Sequence, residues 1–391
     1  MALPWTGNLK TMANQTAPRL PLHIPSLDGM RALSIALVIF AHAASTRLAP
    51  AFLDRPAFTS LGNVGVRFFF IISGFLITTL LLRDIDRHGG IRIKLFYIRR
   101  ALRILPAALF YIGVMWMLYL GGVIDLTYHH LSETHVATAI PDLIHVLTFT
   151  ANYQLDYNWY FNHQWSLSVE EQFYFLWPFA LYFCGLRYGM RGVMVTILVV
   201  PFIRLGMYLI DRPELALSRE FQAVCDSLAM GCLAAITYNR LMDHPLVQKL
   251  TRWPAIPLGG LCIAIGYGAA FISRPLAYIA GQTLANFGIV LLLLHVISHP
   301  RSLAGRVLNT RPLIALGVLS YSLYLWQEPF LYFRGTSWFT AFPQNIVLAL
   351  AAASASYFLV ERPFLALKEK FGKPPAGAKA PPQSADVLPP P

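Results

Sequence analysis

The chain has 391 residues, of which 56% are hydrophobic and only 13% are charged. A soluble globular domain carries nearer a quarter of charged residues, so the composition excludes an ordinary soluble enzyme. Long apolar runs recur without strand-like alternation, which predicts an all-α, polytopic integral membrane protein rather than a β-barrel. The net charge of +12 is typical of Lys and Arg beside cytoplasmic helix ends, so we expect a lipid bilayer and no nucleic acid as partner.

About ten apolar segments are long enough to span a membrane. They cover residues 28–46, 62–82, 104–120, 167–185, 193–210, 221–239, 254–272, 278–298, 313–332 and 341–360. Most Lys and Arg residues fall between them on one side, which predicts that both termini are cytoplasmic. A weakly apolar piece at 142–151 is too short to span, and the segment 186–192 is predicted as a short cytoplasmic loop.

The spans divide the chain into three parts. Residues 1–26 are predicted to form a cytoplasmic tail, because they lack the apolar core of a signal peptide. Residues 27–364 form the membrane domain, and residues 365–391 form a basic, Pro-rich tail that we expect to be disordered and cytoplasmic. About thirty residues follow Glu361, so we expect no further domain in this sequence.

Arg31 and His42 lie in the first span, in the segment LDGMRALSIALVIFAH at 27–42. Eleven residues are almost three helical turns, so the two side chains share a helix face about 16 Å apart. One interpretation is a buried structural histidine and an arginine at the membrane interface. The other is that neutral His42 acts as a general base towards a hydroxyl group.

Three arginines form a cationic helix face in FYIRRALRILP, residues 96–106. Arg99 and Arg103 are four residues apart, Arg100 and Arg103 three. We expect Pro106 in an early helical turn, which would place the arginines beside a helix N-terminus, where phosphate binds well. The alternative is an anchor at the cytoplasmic face.

Polar residues also open the span that begins in HQWSLSVEEQFYFLWP, residues 163–178. Ser166 is suited to cap the helix, which is the structural interpretation. Capping does not account for Trp165, Glu170 and Tyr174 gathering where a hydrophilic molecule would enter. Glu170 is a candidate to orient an imidazole or to hold a sugar hydroxyl.

A polar stripe follows one helix face in SYSLYLWQEPF, residues 320–330. Tyr321, Tyr324 and Gln327 recur every three residues, although Tyr in an interfacial aromatic belt is the commoner interpretation. Glu328 is costly at this depth.

Asp226 is a further carboxylate inside a span. It requires a cationic partner in the membrane, and Arg67 and Arg204 are the candidates.

Together these segments resemble the acyltransferase 3 family of membrane-bound O-acyltransferases, which modify surface polysaccharides, lipopolysaccharide O-antigens, Nod factors or macrolides. The motifs that carry the resemblance are LDGMRALSIALVIFAH, GVRFFFIISGFLITTLLL at 65–82, FYIRRALRILP, WSLSVEEQFYFLWP, SYSLYLWQEPF and VERPF at 360–364. They occur in order and cover residues 27–364.

The resemblance implies a multi-pass protein of the bacterial inner membrane that uses cytoplasmic acyl-CoA, with acetyl-CoA expected, as co-substrate. The acceptor would be a hydroxyl of an extracytoplasmic glycan or glycolipid. His42 matches the family's catalytic histidine and Arg31 its companion. Arg100 and Arg103 match an Arg-x-x-Arg that faces coenzyme A, and Glu170 matches the acidic residue of its motif.

Two positions depart from the family pattern. Gln327 stands where histidine often follows Tyr-Leu-Trp, and Val224 and Cys225 precede Asp226 where an arginine is common. These departures place secondary donor or acceptor contacts in doubt.

We therefore predict an O-acyltransferase without a metal or a permanently bound cofactor. His42, Arg31 and Glu170 would form its catalytic group, and Arg99, Arg100 and Arg103 would bind acyl-CoA. The acceptor is expected to contact Trp165, Ser166, Tyr174, Tyr324 and Gln327.

A transporter or flippase for a lipid-linked sugar or small molecule is the alternative, because it would also need polar groups in the membrane. A membrane scaffold or sensor would need no such stripe. The oligomeric state stays open.

Overall fold

A computed structural model describes residues 20–21, 23–53, 55, 58, 60–129 and 132–370. These described residues are 78% helical with almost no strands, which confirms the all-α prediction. The helices are α1 Pro25–Ala43, α2 Leu61–His88, α3 Ile93–Leu120, α4 Ile140–Leu147, α5 Gln164–Leu209, α6 Glu214–Arg219, α7 Phe221–Asp243, α8 Pro245–Leu250, α9 Ala255–Gly268, α10 Arg274–Leu276, α11 Gln282–Ser298, α12 Leu303–Leu308, α13 Arg311–Trp326, α14 Gln344–Ser356 and α15 Arg362–Lys370.

Short π-helical turns, Ala277–Gly281 and Tyr357–Glu361, join α10 to α11 and α14 to α15. Single 3₁₀ turns occur at Ala51–Leu53, Ala151–Tyr153, Trp159–Phe161, Ala269–Phe271 and Trp338–Thr340. The described residues hold one two-stranded antiparallel sheet, β1 Tyr128–His129 with β2 Thr134–His135.

Seven helical stretches within the described ranges are long and apolar enough to cross a membrane by length and composition. The stretch Trp159–Leu209 counts once, although it is bent, and the apolar helices Ala255–Phe271 and α13 are shorter. The protein is thus a multi-pass membrane protein. Ten crossings and cytoplasmic termini stay predictions.

The predicted loop at 186–192 is wrong, because these residues are helical and belong to α5. The chain changes direction at one residue, Gly185, which has φ 73° and ψ 172°. Glycine adopts a positive φ without a side-chain clash, so one residue replaces the loop. Phe183 and Phe202, on either side of the bend, are exposed, as expected for side chains that face lipid.

Two other expectations about helix ends need correction. α3 begins at Ile93, so Pro106 lies in the helix interior and the arginines lie beyond its first turn. Their proximity to a helix N-terminus therefore does not hold, since the dipole acts within the first turn. Residues 365–370 of the predicted disordered tail are helical. The rest of that tail, and most of the predicted tail 1–26, lie outside the described residues.

The helices around α1 pack closely and give the bundle two distinct ends. Gly317 of α13 lies so near the backbone of Asp28 that a Cβ would clash there, and at the other end of these parallel helices His42 contacts Gln327. α2 runs antiparallel, with Gly62 beside Ala41. Small residues permit such close approach of membrane helices. We call the two ends of α1 the arginine end, near Arg31, and the histidine end, near His42.

Candidate active site

His42 lies in the last turn of α1 and is held by the segment that follows α13. Its Nδ1 is 3.0 Å from Oε1 of Gln327, which is fully buried. The ring of Trp159 lies beside it, with centroids 5.8 Å apart, and the His42 side chain remains 26% exposed. With Gln327 Oε1 as acceptor, the tautomer that fits this contact has the proton on Nδ1 and the lone pair on Nε2, which is the arrangement a general base requires.

A buried carboxylate lies between two imidazoles at the histidine end. Oε1 of Glu328 is 3.9 Å from Nδ1 of His42 and 3.8 Å from Nδ1 of His163. Glu328 is fully buried and His163 nearly so. The sequence analysis assigned no role to His163; its position before a span that opens with polar residues is the signal that could have found it.

Tyr324 and Ser166 link the two imidazoles to the interior. The Tyr324 hydroxyl donates to the carbonyl of His163 at 3.0 Å and lies 2.5 Å from Oγ of Ser166. We call His42, His163, Ser166, Tyr324, Gln327 and Glu328 the histidine column. The structure thus brings three predicted substrate contacts, Ser166, Tyr324 and Gln327, to the same part of the bundle as His42.

Glu170 lies deeper in the bundle and does not orient His42. Its carboxylate accepts hydrogen bonds from Ser73 Oγ and Tyr174 Oη, each at 2.9 Å, and lies 3.8 Å from Nη2 of Arg100. His163 is level with His42, and seven further residues of α5 carry Glu170 about 10 Å away. The candidate role of Glu170 towards the imidazole is therefore replaced by one towards Arg100.

Arg100 is anchored on three sides. Its guanidinium carbon lies 3.5 Å from the ring centroid of Tyr174, and its Nε is 3.9 Å from Glu171 in addition to the contact with Glu170. A guanidinium over an aromatic face is stabilised by the ring quadrupole. Tyr174 therefore supports Arg100 rather than standing free to meet an acceptor.

Two cavities meet at the arginines. A central cavity of about 60 Å³ is lined by Arg31 and Glu170 together with Ser166 and Tyr324 of the histidine column. A second cavity of about 260 Å³ lies towards the arginine end, where Arg99, Lys368 and Arg92 line it. Arg100 and Arg103 line both cavities. The two cavities thus share Arg100 and Arg103, and two residues of the histidine column line the central one.

Trp165 packs in the core, and Arg31 lies at the level of Arg100 and Arg103. Trp165 is buried, with its ring packed edge-on against Phe70 at 6.0 Å between centroids, so it supports the core. Arg31 lines the central cavity, eleven residues from His42. The two lie at different levels of one helix, as predicted, and Arg31 faces the arginines rather than the base.

Glu361 is a site residue that the sequence analysis quoted only within a motif. It is buried, and its carboxylate accepts a hydrogen bond from Ser322 Oγ at 2.8 Å. Arg103 and Arg31 lie within electrostatic range of it. An acidic residue at the end of an apolar run was the available signal.

Asp226 pairs with both arginines that were considered. It lies 3.0 Å from Nη1 of Arg204 and 3.6 Å from Nη1 of Arg67, and Thr283 Oγ1 donates to it at 3.1 Å. Arg67 also donates to Ser227 at 2.8 Å. We call these five residues the Asp226 cluster.

Comparison with known proteins decides the family. The acyltransferase domain family matches residues 24–360, which is most of the chain. The chain belongs to the acyltransferase 3 family. Its membrane unit is therefore an acyltransferase domain, as the motifs predicted.

Curated relatives extend this result. The chain is 27% identical to O-acetyltransferase OatA of Staphylococcus aureus strain NCTC 8325 over 390 residues, which cover 92% of this chain and 59% of the relative. It is also 27% identical to the putative O-acetyltransferase SACOL0978 of S. aureus strain COL, covering 88% of this chain and 57% of that protein. The chain thus spans less than two thirds of the length of these relatives. No solved structure matches it.

Proposed function

We propose that this protein is an O-acetyltransferase that transfers an acetyl group from acyl-CoA to a hydroxyl of a glycan or glycolipid. The main support is the placement of His42, whose Nδ1 is bound to Gln327 at the histidine end, while a cavity lined by Arg99, Arg100 and Arg103 lies towards the arginine end. Membership of the acyltransferase 3 family and the O-acetyltransferase relatives support the same reaction.

In the proposed topology, ten helices cross the bacterial inner membrane and both termini are cytoplasmic. The arginine end then faces the cytoplasm, as the positive-inside rule requires. Acyl-CoA enters there, and guanidinium groups bind its phosphates with charge-assisted hydrogen bonds. The acceptor approaches from the extracytoplasmic side, where Trp159 and Gln327 surround the imidazole.

In the proposed reaction, Nε2 of His42 removes the proton of the acceptor hydroxyl while its oxygen attacks the thioester carbonyl carbon. The carbon–sulfur bond then breaks, and the imidazolium returns the proton to the coenzyme A thiolate. Glu328 stabilises the imidazolium between the two steps. Direct transfer within one ternary complex needs no acyl-enzyme, because both substrates are held together.

The test of this proposal is His42→Ala in the full chain, purified in lipid nanodiscs. Release of free coenzyme A from acetyl-CoA with membrane glycolipid extract should fall by about 100-fold or more, the usual contribution of general base catalysis. His244→Ala, at an exposed histidine, is the control and should leave the rate unchanged. Full activity of His42→Ala would refute the proposed base. Movement of acceptor without release of coenzyme A would instead favour the transporter.

The donor side has its own test. Arg103→Ala should raise the KM for acetyl-CoA by about tenfold, because one charged hydrogen-bond donor to phosphate is lost. Arg306→Ala, at an exposed arginine in α12 near the same end, is the matched control. An unchanged KM would make the arginines a topological anchor only.

A further inference from the structure

A third cavity lies at the histidine end, between the segment that follows α3 and the segment that follows α13. Its volume is about 350 Å³, within the range of small-molecule sites in proteins. Its walls carry Asp125, Tyr128, Asn158, Tyr160, Tyr332 and Arg334. The mechanism above uses none of these residues.

The walls combine aromatic rings with hydrogen-bonding groups. Tyr160 and Tyr332 have ring centroids 6.1 Å apart. Arg334 Nη1 donates to the Tyr128 hydroxyl at 2.6 Å, and Arg334 also pairs with Glu133. A sugar ring presents C–H groups on its faces and hydroxyls around its edge, and each hydroxyl donates one hydrogen bond and accepts two. Tyrosine rings with phenol, carboxylate and guanidinium groups match both surfaces.

Buried hydrogen bonds hold the cavity walls in place. Nδ2 of Asn158, which is fully buried, donates to the carbonyls of Asp125 and Tyr128 at 3.0 Å each. Tyr111, in the middle of α3, donates to the carbonyl of Tyr160 at 2.6 Å. The binding surface is therefore attached to the helical bundle, which reduces the ordering cost of binding.

Trp159 connects this cavity to the candidate base. Its ring centroid lies 5.8 Å from that of Tyr332 on one side and 5.8 Å from that of His42 on the other. Its Nε1 donates to the carbonyl of Glu328 at 2.8 Å. A saccharide in the cavity would thus lie next to the hydroxyl that reaches His42.

The charged residues of the cavity walls indicate whether a neutral or an acidic saccharide would bind. Glu133 neutralises Arg334 at the rim, and the carboxylate of Asp125 is 49% exposed. Among the described residues that line the cavity, Arg334 carries the one guanidinium, and it is already paired, so these residues offer no excess positive charge to an acidic sugar. A neutral sugar avoids repulsion from Asp125.

We propose that this cavity is an acceptor subsite that binds a neutral oligosaccharide segment beside the acetylated hydroxyl. The inference rests on the proposed function, since it assigns the cavity to the acceptor of that reaction.

The experiment measures binding by saturation-transfer NMR to the full chain in nanodiscs. The probes are tetra-N-acetylchitotetraose, cellotetraose and maltotetraose, with tetragalacturonate as the acidic comparison. We expect saturable binding of at least one neutral probe and weaker binding of the acidic one. Absence of saturable binding by all three neutral probes, or tighter binding of tetragalacturonate, overturns the proposal.

Substitutions in the cavity walls test whether the saccharide binds in this cavity. Tyr332→Ala should weaken the best neutral probe by about tenfold, the effect of losing one aromatic contact. Arg334→Gln removes an exposed ion pair with Glu133 and a hydrogen bond to the Tyr128 hydroxyl, both at the surface, so it should fold and still weaken binding several-fold. Trp338→Ala, an exposed aromatic residue in the same segment, is the control. Equal binding by all three variants and the wild type places the saccharide elsewhere and overturns the proposal.

A parallel measurement separates this inference from the proposed function. His42→Ala should lose coenzyme A release and keep saccharide binding. If the wild type binds the saccharide with the expected losses in Tyr332→Ala but releases no coenzyme A, the subsite stands and the proposed reaction fails. If acetyl transfer occurs with an acceptor KM that Tyr332→Ala does not change, the reaction stands and the subsite fails.

Discussion

The Asp226 cluster and the histidine column both hold charged groups inside the helical bundle, yet they are built differently. In the Asp226 cluster one carboxylate lies within 3.6 Å of two guanidinium groups, and each arginine also bonds to neutral side chains. In the histidine column Glu328 approaches two imidazoles only to 3.8–3.9 Å. Members of the column also line the central cavity. The first arrangement stabilises helix contacts, and the second leaves groups available for chemistry.

The largest expected effect is the loss of stability when Asp226 is removed from its cluster. Asp226→Ala leaves Arg67 and Arg204 buried without their counter-charge, which should lower the free energy of unfolding by about 3–5 kcal/mol. Thermal unfolding in nanodiscs measures the loss. Asp243→Ala, at the exposed end of the same helix, is the control. If Asp226→Ala is as stable as the wild type but loses acetyl transfer, the Asp226 cluster has a catalytic rather than a structural role.

Glu328→Gln should lower the activity of the protein and leave its stability largely unchanged. The amide keeps the shape but cannot become a carboxylate that stabilises positive charge on His42 during the reaction, so the protein should remain folded while kcat falls by about 100-fold, as when one electrostatic contact to a developing charge is removed. Coenzyme A release and the unfolding midpoint are measured on the same samples. A large drop in the midpoint with normal activity per folded molecule would show that Glu328 is structural.

The smallest effect is expected at Gln327, which positions His42. Gln327→Ala removes one hydrogen bond, worth about 1 kcal/mol, so kcat should fall by roughly five- to tenfold with little change in KM. Gln327→His supplies another acceptor nitrogen and should recover most of that loss. If alanine and histidine at this position behave alike, the contact with Nδ1 has no role in orienting the base.

Hydropathy predicted much of this fold because apolar length alone identifies membrane helices. The helical segments that carry His42 and Glu170 were both placed from their apolar runs, whereas Arg100 lies before the predicted span 104–120 and inside the observed helix α3. The course at 186–192 was mispredicted because polar and basic residues there are typical of loops, whereas the bend depends on the backbone of Gly185 alone. Helix ends depend on packing, which a hydropathy pattern does not contain.

Many residues of the candidate site could be predicted from the sequence, but the contacts between them could not. Spacing along one helix placed Tyr324 and Gln327 on a stripe, and both reach the histidine end. The contacts of Glu170 with Arg100 and of Gln327 with His42 join different helices. They depend on the depth of each helix in the bundle and on its rotation about its own axis, which the sequence pattern does not contain. The departure from histidine at Gln327 placed secondary donor or acceptor contacts in doubt, and the contact of its amide oxygen with Nδ1 of His42 was not predicted.

The three arginines around the central cavity have a consequence for the integrity of the membrane. A polar route through a bilayer is a potential leak for protons and metal cations. Arg31, Arg100 and Arg103 surround a cavity of only about 60 Å³, and positive charge at a constriction repels cations and hydronium, as in selective channels. The same residues that attract an anionic donor would thus preserve the proton gradient across the membrane.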